Sequence, residues 1–281
     1  MKPTSIIFLI FSVIILVVGM IVCNVATKLA DKQGVVLFEQ TTLENGDTVI
    51  KKEIPNDKFT KLELEIKDAP VNIFGGAESS YVELVNFDVN SYGISDLNNT
   101  LSIDDSFNIT SLFKSTGGAQ FKGLRYVVFD RKEKKGSEKS VNIYLADNTD
   151  LKNISIKLGK GSVYVKSVSK ALDYSLVTEQ GNVTLDEVKN ATLAKIRTGS
   201  GTVALNYSIG TLFDVDIASG QFNVINHNSD QISYAVGVST GIVRYNGEDK
   251  GSRFESVSGD PLTTINARIG EGQAMINDLE K

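Results

Sequence analysis

The sequence predicts an all-β chain: a single-stack β-solenoid, or open parallel β-helix, of rungs about 20 residues long, preceded by one transmembrane helix. Three observations carry this reading. First, GKGSVYV, EQGNVTL and GSGTVAL, beginning at Gly159, Glu179 and Gly199, each set a glycine before alternating apolar residues. Such alternation marks strands with one buried face. Second, the glycines of that pattern, Gly161, Gly181 and Gly201, are 20 residues apart twice in succession. A regular period of this length means units that cannot bury an apolar face alone and share a core by stacking. Third, SIIFLIFSVIILVVGMIVC, Ser5 to Cys23, runs 19 residues without a charge. At about 1.5 Å per residue it crosses most of a hydrocarbon core of roughly 30 Å.

Taken in order, residues 1–4 are a short lead and residues 5–27 a membrane anchor. A cleaved signal usually has a shorter apolar stretch and small residues at its cleavage site. Asn24 and Ala26 make a poor site of that kind, so the anchor is expected to be retained. Met20-Ile21-Val22 lacks the small residues that acylation of Cys23 would need. Lys2 before the span and Lys28, Asp31 and Lys32 after it separate the two sides little. The single span and the strand-rich, cysteine-free remainder favour a cytoplasmic N-terminus and an extracytoplasmic β domain. Residues 28–58 read as a polar connector with strand content at GVVLFE and a turn at ENGD, Glu44 to Asp47.

The β-repeat domain is expected over 59–281. Gly220, Gly241 and Gly272 continue the series at intervals of 19, 21 and 31, the last carrying an insertion near Gly247 to Pro261. Seven, five and three residues before each glycine lies a second alternating run: Ile154/Ile156/Leu158, Tyr174/Leu176/Thr178, Ala194/Ile196/Thr198, Phe213/Val215/Ile217, Tyr234/Val236/Val238 and Ile265/Ala267/Ile269. A seventh copy, LELEIKDAPVNI, puts Ala69 where the glycine should be. Each unit is two short strands joined at a tight bend, where glycine accepts positive φ and close backbone approach. The rhythm lapses at about 90–140, an irregular insertion. LRYVVFDRKEKKGSEKSVNIYL reads as a hairpin, and the tail NDLEK as a polar cap on the stack. A meander would also give 20-residue units. The two are told apart by register: parallel rungs set Lys195 beside Asp214 and Arg197 beside Asp216, about 4.8 Å apart in backbone spacing.

Composition narrows the chemistry. There is one His (His227), one Cys (Cys23) and no Trp, which excludes an internal disulfide framework and a zinc site built from several Cys or His ligands. Beyond Lys2, 28 basic residues stand against 34 acidic ones, so the surface offers nucleic acid no general attraction. Asp104–Asp105 and the SGDP loop at Ser258 to Pro261 read as solvated turns rather than a paired-carboxylate hydrolase site. His227 reads as a turn residue. The G-x-G glycines at 159/161, 199/201 and 270/272 have no helix after them, so they form no phosphate loop. Outward Tyr164 and Tyr207 suit sugar or protein contact, and strand propensity explains them equally.

From Val141, VNIYLADNTDLKNISIKLGKGSVYV and the G-x-V-x-L units after it resemble the toastrack family of bacterial β-strand-repeat domains, provisionally labelled adhesins. The likeness covers about 59 to 276 and is strongest from 141 onward. It implies a bacterial envelope protein, tethered beside membrane or stress-response proteins, and offers no catalytic residue to carry over. The expectation is therefore a non-catalytic interaction or scaffold module in envelope maintenance or stress response, with no catalytic, cofactor or metal residue assigned. Its partners are the membrane, through residues 5–27, and another envelope or membrane protein. The alternatives are a cell-surface adhesin and, more remotely, a polysaccharide-acting enzyme.

Overall fold

The computed structural model describes residues 39–54, 59–87, 93–97, 99–104, 138–227 and 229–279. The anchor segment 5–27, most of the hairpin tip and the last two residues lie outside them. No helix among the described residues is long and apolar enough to cross a membrane. Among the described residues, apart from one 3-10 turn at Ser229–Gln231, the regular structure is all strand.

The strands are β1 (Glu39–Thr42), β2 (Thr48–Glu53), β3 (Lys61–Asp68), β4 (Val71–Ala77), β5 (Tyr81–Val85), β6 (Gly93–Leu97), β7 (Thr100–Asp104), β8 (Ser140–Ala146), β9 (Asn153–Lys160), β10 (Val163–Lys166), β11 (Asp173–Gln180), β12 (Val183–Asp186), β13 (Ala191–Asn206), β14 (Gly210–Asn226), β15 (Ile232–Tyr245), β16 (Glu248–Asp249), β17 (Arg253–Ser256) and β18 (Thr263–Asp278). They make two-armed rungs. In the first three complete units the arms are separate strands, β3/β4, β9/β10 and β11/β12. In β13, β14, β15 and β18 one strand runs through the bend. Neighbouring rungs pair in parallel and in register, Tyr174 with Ala194 and Ala194 with Phe213 on the first arm, Val183 with Val203 and Val203 with Phe222 on the second. Parallel pairing excludes the meander. Lys195 lies beside Asp214 and Arg197 beside Asp216, as the spacing predicts.

The order of the rungs departs from the sequence at both ends. β18 pairs with β14 on one side and β15 on the other, so the last unit in the chain is the penultimate rung. At the other end β3 pairs with both β7 and β9, and β4 with both β8 and β10. β7 and β8 are thus the two arms of one more rung, and residues 105–139 of the expected insertion intervene where a bend glycine would stand. Along the axis the stack reads β7/β8, β3/β4, β9/β10, β11/β12, β13, β14, β18, β15.

Antiparallel strands close each end. β6 lies on β7, and β1–β2–β5 continue from β8, so residues 39–54 of the expected connector belong to the sheet. The ENGD turn forms: the Gly46 amide donates to the Leu43 carbonyl at 2.9 Å and the Leu43 amide to the Asp47 carbonyl at 2.8 Å. Strand β8, expected in a hairpin, pairs with β4 in parallel and β5 antiparallel. Its supposed hairpin partner lies outside the described residues. At the far end β16 and β17 cover the two arms of β15. The segment 246–256, and not the chain's tail, therefore caps the stack. Its short strands and exposed Glu248, Asp249, Arg253 and Glu255 discourage addition of further strands.

Every inward triad named from the sequence is buried, including Thr178 and Thr198, whose hydroxyls hydrogen-bond at 2.9 Å. Side-chain volumes alternate along the columns: Ala194 sits between Tyr174 and Phe213, and Ala274 between Phe222 and Val243. Alternating large and small side chains on neighbouring rungs fills the core to interior density, and the small residue at 274 follows that pattern.

The bend glycines form a column of their own. Gly201, Gly220, Gly272 and Gly241 have φ of 142°, 149°, 140° and 143°. A Cβ on any of them would lie within 1.9 Å of the preceding glycine's carbonyl oxygen. Two residues earlier is a second column, in stack order Lys67, Gly159, Glu179, Gly199, Ala218, Gly270, Ser239. Here glycine occupies alternate rungs. A Cβ on Gly159, Gly199 or Gly270 would meet the carbonyl oxygen of Lys67, Glu179 or Ala218 at 2.5–2.6 Å. The G-x-G pattern thus serves rung packing.

Candidate interaction face

The outer surface of the first arms is organised by register. An ion-pair network spans β13, β14 and β18. The Arg197 guanidinium donates from Nη2 to Asp214 at 2.8 Å, and its Nε lies 2.9 Å from Asp216. Arg197 Nη1 donates to the Ile196 and Asp214 carbonyls, both at 3.1 Å. Arg268, from the inserted rung, donates through Nε to Asp216 at 2.7 Å and through Nη2 to Asp214 at 3.3 Å. Two guanidinium forks thus hold two carboxylates across three rungs, and planar bidentate geometry makes such contacts specific. The aspartates bond Arg197 and Arg268, although register alone would give Asp214 to Lys195.

The bond from Arg268 holds the Asp216 carboxyl below its usual range. Desolvation opposes this, and the charges of Arg197 and Arg268 reinforce it. A depressed carboxylate contributes stability above its unfolded pKa and loses it as pH falls through the folded value. Arg268→Gln is therefore expected to cost about 0–1 kcal/mol at neutral pH, since the pairs are partly exposed. The difference from wild type should disappear in acid once Asp216 is protonated in both folded and unfolded chains. Melting curves at neutral pH and well below the carboxylate range check this; an undiminished difference in acid would contradict it.

The outer surface of the second arms carries aromatic rings. Tyr81 and Tyr144 stack at 4.4 Å between centroids, Tyr144 and Phe74 at 5.3 Å, and Tyr164 meets Phe74 edge-on at 6.0 Å. Lys51 covers the other face of the row, 3.9 Å from the Tyr81 centroid. The rings stand upright against one another, so their faces are consumed within the row and make no flat platform for a sugar. Tyr164 donates to Asp186 at 2.8 Å, and burial with that carboxylate raises its pKa.

The other singled-out residues are dispersed. Tyr207 lies apart from Tyr164, stacked on His227 at 4.5 Å between ring centroids in the turns after β13 and β14. Asp104 ends β7 opposite Glu65, and Asp105 is outside the described residues. In the SGDP loop the Ser258 amide donates to the Ser233 hydroxyl at 3.0 Å, tying the loop to β15. Among the described residues no group of three or more His, Cys, Asp or Glu side chains is arranged to hold a metal ion. Sequence reasoning missed Arg268, which is 52 residues from its partner Asp216.

No curated protein matches the chain. Solved structures that the chain matches include one from Clostridium sporogenes, provisionally named a cell adhesion protein. It is 18% identical, with 84% of this chain and 100% of that one covered at a TM-score of 0.49. Another from Bacteroides fragilis, provisionally named an adhesin, is 11% identical over 82% of this chain and 96% of its own, with a TM-score of 0.40. A third, from Parabacteroides distasonis and provisionally named a lipid-binding protein, is 11% identical over 83% and 95%, with a TM-score of 0.32. The family model described as Toastrack DUF4097 matches residues 59–270, which include all but the last bend, and the chain belongs to that family.

Proposed function

We propose that the chain is a non-catalytic scaffold of solenoid form, tethered to a bacterial membrane through residues 5–27, whose outward columns engage another envelope or membrane protein. The observation that carries this is the arginine–aspartate network. It fixes four side chains from three rungs at bonding distance on an outer face, and parallel register lines up outward side chains of neighbouring rungs in columns. A rigid patterned face is suited to recognition. Asp216, held ionised by two arginines, is ill-suited to donate a proton. Reach supports a partner close to the membrane. Eight rungs at about 4.8 Å span roughly 34 Å, and the 11 residues between 27 and 39 extend at most about 40 Å. Such dimensions fit envelope maintenance or stress response better than adhesion to another cell.

Cross-linking on intact cells with a reagent that cannot enter the cytoplasm tests the proposal. The expected product joins this chain to a membrane protein. Linkage only to wall polymer or foreign matrix would favour the adhesin, and linkage only by a permeant reagent would place the stack in the cytoplasm.

A further inference from the structure

On the outer face of the first arms one column runs Arg197, Asp216, Arg268, Gly237, Arg253 across β13, β14, β18, β15 and β17. Charge alternates along it, positive, negative, positive, and then a glycine stands where the next negative side chain would fall, before a further arginine. Gly237 is unlike the bend glycines. Its φ lies outside the left-handed region, and a Cβ added to it would have no atom within 4 Å. Neither backbone conformation nor packing requires its missing side chain. Glycine in a strand interior weakens the strand and marks places where another group approaches.

The gap lies in a groove of about 1060 Å³, whose walls include Arg268, Arg253, Glu255 and Asn266. Arg268 directs Nε and Nη2 toward Asp216 and Asp214 on its far side. Arg253, 75% exposed, pairs through Nη2 with Glu255 on its own strand. Rungs are about 4.8 Å apart, so the two arginines stand roughly 9–10 Å apart in backbone spacing. That separation admits one carboxylate between the two guanidinium groups, within reach of the N–H donors, Nη1 of Arg268 among them, that those bonds do not use.

We infer that the gap over Gly237 is a binding site for a carboxylate side chain of a partner protein, which completes the alternating column between Arg268 and Arg253. This rests on and sharpens the scaffold reading, because it gives the partner's chemistry: an exposed Asp or Glu on a segment narrow enough to enter the groove. The paired charges already present select a group of one negative charge at one position and give no general attraction for polyanions.

The test uses the full chain in detergent micelles, with glycine labelled for amide NMR. It is titrated with acetyl-Gly-Asp-Gly-amide, with the same peptide carrying Asn, and with inorganic phosphate. The Asp peptide should shift the Gly237 signal saturably, and the Asn peptide should not. The shift should fall at least tenfold in apparent affinity in the double variant Arg268→Gln/Arg253→Gln. Gly237→Asp supplies the carboxylate from within: it should raise the melting midpoint by about 2 °C relative to Gly237→Asn. Its neighbouring glycine signals, Gly270 among them, should then no longer respond to the Asp peptide. Absence of a saturable shift, an equal shift with Asn, or a response to phosphate alone would overturn the site. So would Gly237→Asp melting no higher than Gly237→Asn.

Intact-cell cross-linking separates this from the broader proposal. Capture of a membrane protein equally by wild type and Gly237→Asp would leave the scaffold standing and reject the site. Selective loss of capture in Gly237→Asp would support both.

Discussion

Gly220→Ala is expected to destabilise the stack by about 3 kcal/mol or more. That figure combines a left-handed backbone forced on a residue with a Cβ and a backbone collision, each costing of order 1–3 kcal/mol. The new methyl carbon would lie 1.8 Å from the Gly201 carbonyl oxygen at a φ of 149°. No rotamer relieves this, because the backbone fixes the Cβ position and the group it meets is a main-chain carbonyl. Gly220 also sits mid-stack, so moving its rung disturbs the register of β13 on one side and β18 on the other. The melting midpoint should drop by roughly 6–12 °C for a domain of this size. Gly237→Ala, with open space around the new methyl, is the control and should be neutral or stabilising by about 0.5–1 kcal/mol. Similar melting for the two variants would mean that the bend column tolerates side chains and that its glycines are not needed for stacking.

The second large effect tests the rung order. Ending the chain after Leu262 removes β18, which fills the space between β14 and β15. Ile265, Ile269 and Ile276 are buried there, and at about 1.5–3 kcal/mol each their burial is worth roughly 5–9 kcal/mol. That is comparable to the whole stability of many domains. The loss should spread, because β14 and β15 each lose a paired edge. Hydrogen exchange should show protection falling across β14 and β15 together. Were β18 a terminal rung, β14 and β15 would remain paired and protected. A direct check replaces outward residues by cysteine. Asn223→Cys with Met275→Cys places the pair on adjacent strands in register, and it should oxidise to a disulfide. Asn223→Cys with Arg244→Cys is two rungs apart, roughly 9–10 Å, beyond what a disulfide spans without backbone movement. Bridging of the second pair in preference to the first would restore sequence order.

The inward columns were legible because period-2 alternation requires no knowledge of the partner strand. Leu176 and Ile196 must face inward whichever rung lies beside them. Register was legible too, since 19- and 20-residue intervals align Arg197 with Asp216 whenever those rungs are neighbours. Rung order was not: β14, β15 and β18 carry the same template, and a template does not choose between equivalent neighbours. One signal was present. The glycines at 159, 199 and 270 alternate strictly with Glu179, Ala218 and Ser239 when β18 lies between β14 and β15, and the alternation breaks in chain order. The turns after β10, β12 and β13 were also missed, because Ser167, Glu187 and Tyr207 adopt φ of 53°, 53° and 49° without glycine.

The candidate face was half visible for the same reason. Arg197, Asp214 and Asp216 lie on rungs consecutive in both chain and space, so their proximity follows from spacing. Arg268 joins them, and Gly237 becomes a gap between two arginines, only because β18 enters the stack one place early. By itself the sequence determined which residues face the core, where the glycine bends fall and how neighbouring rungs align, since strand periodicity and glycine's freedom are local properties. Which rungs are neighbours was decided by tertiary packing, where the volume of Ala274 between Phe222 and Val243 and the carbonyl of Ala218 against Gly270 distinguish units that are locally alike.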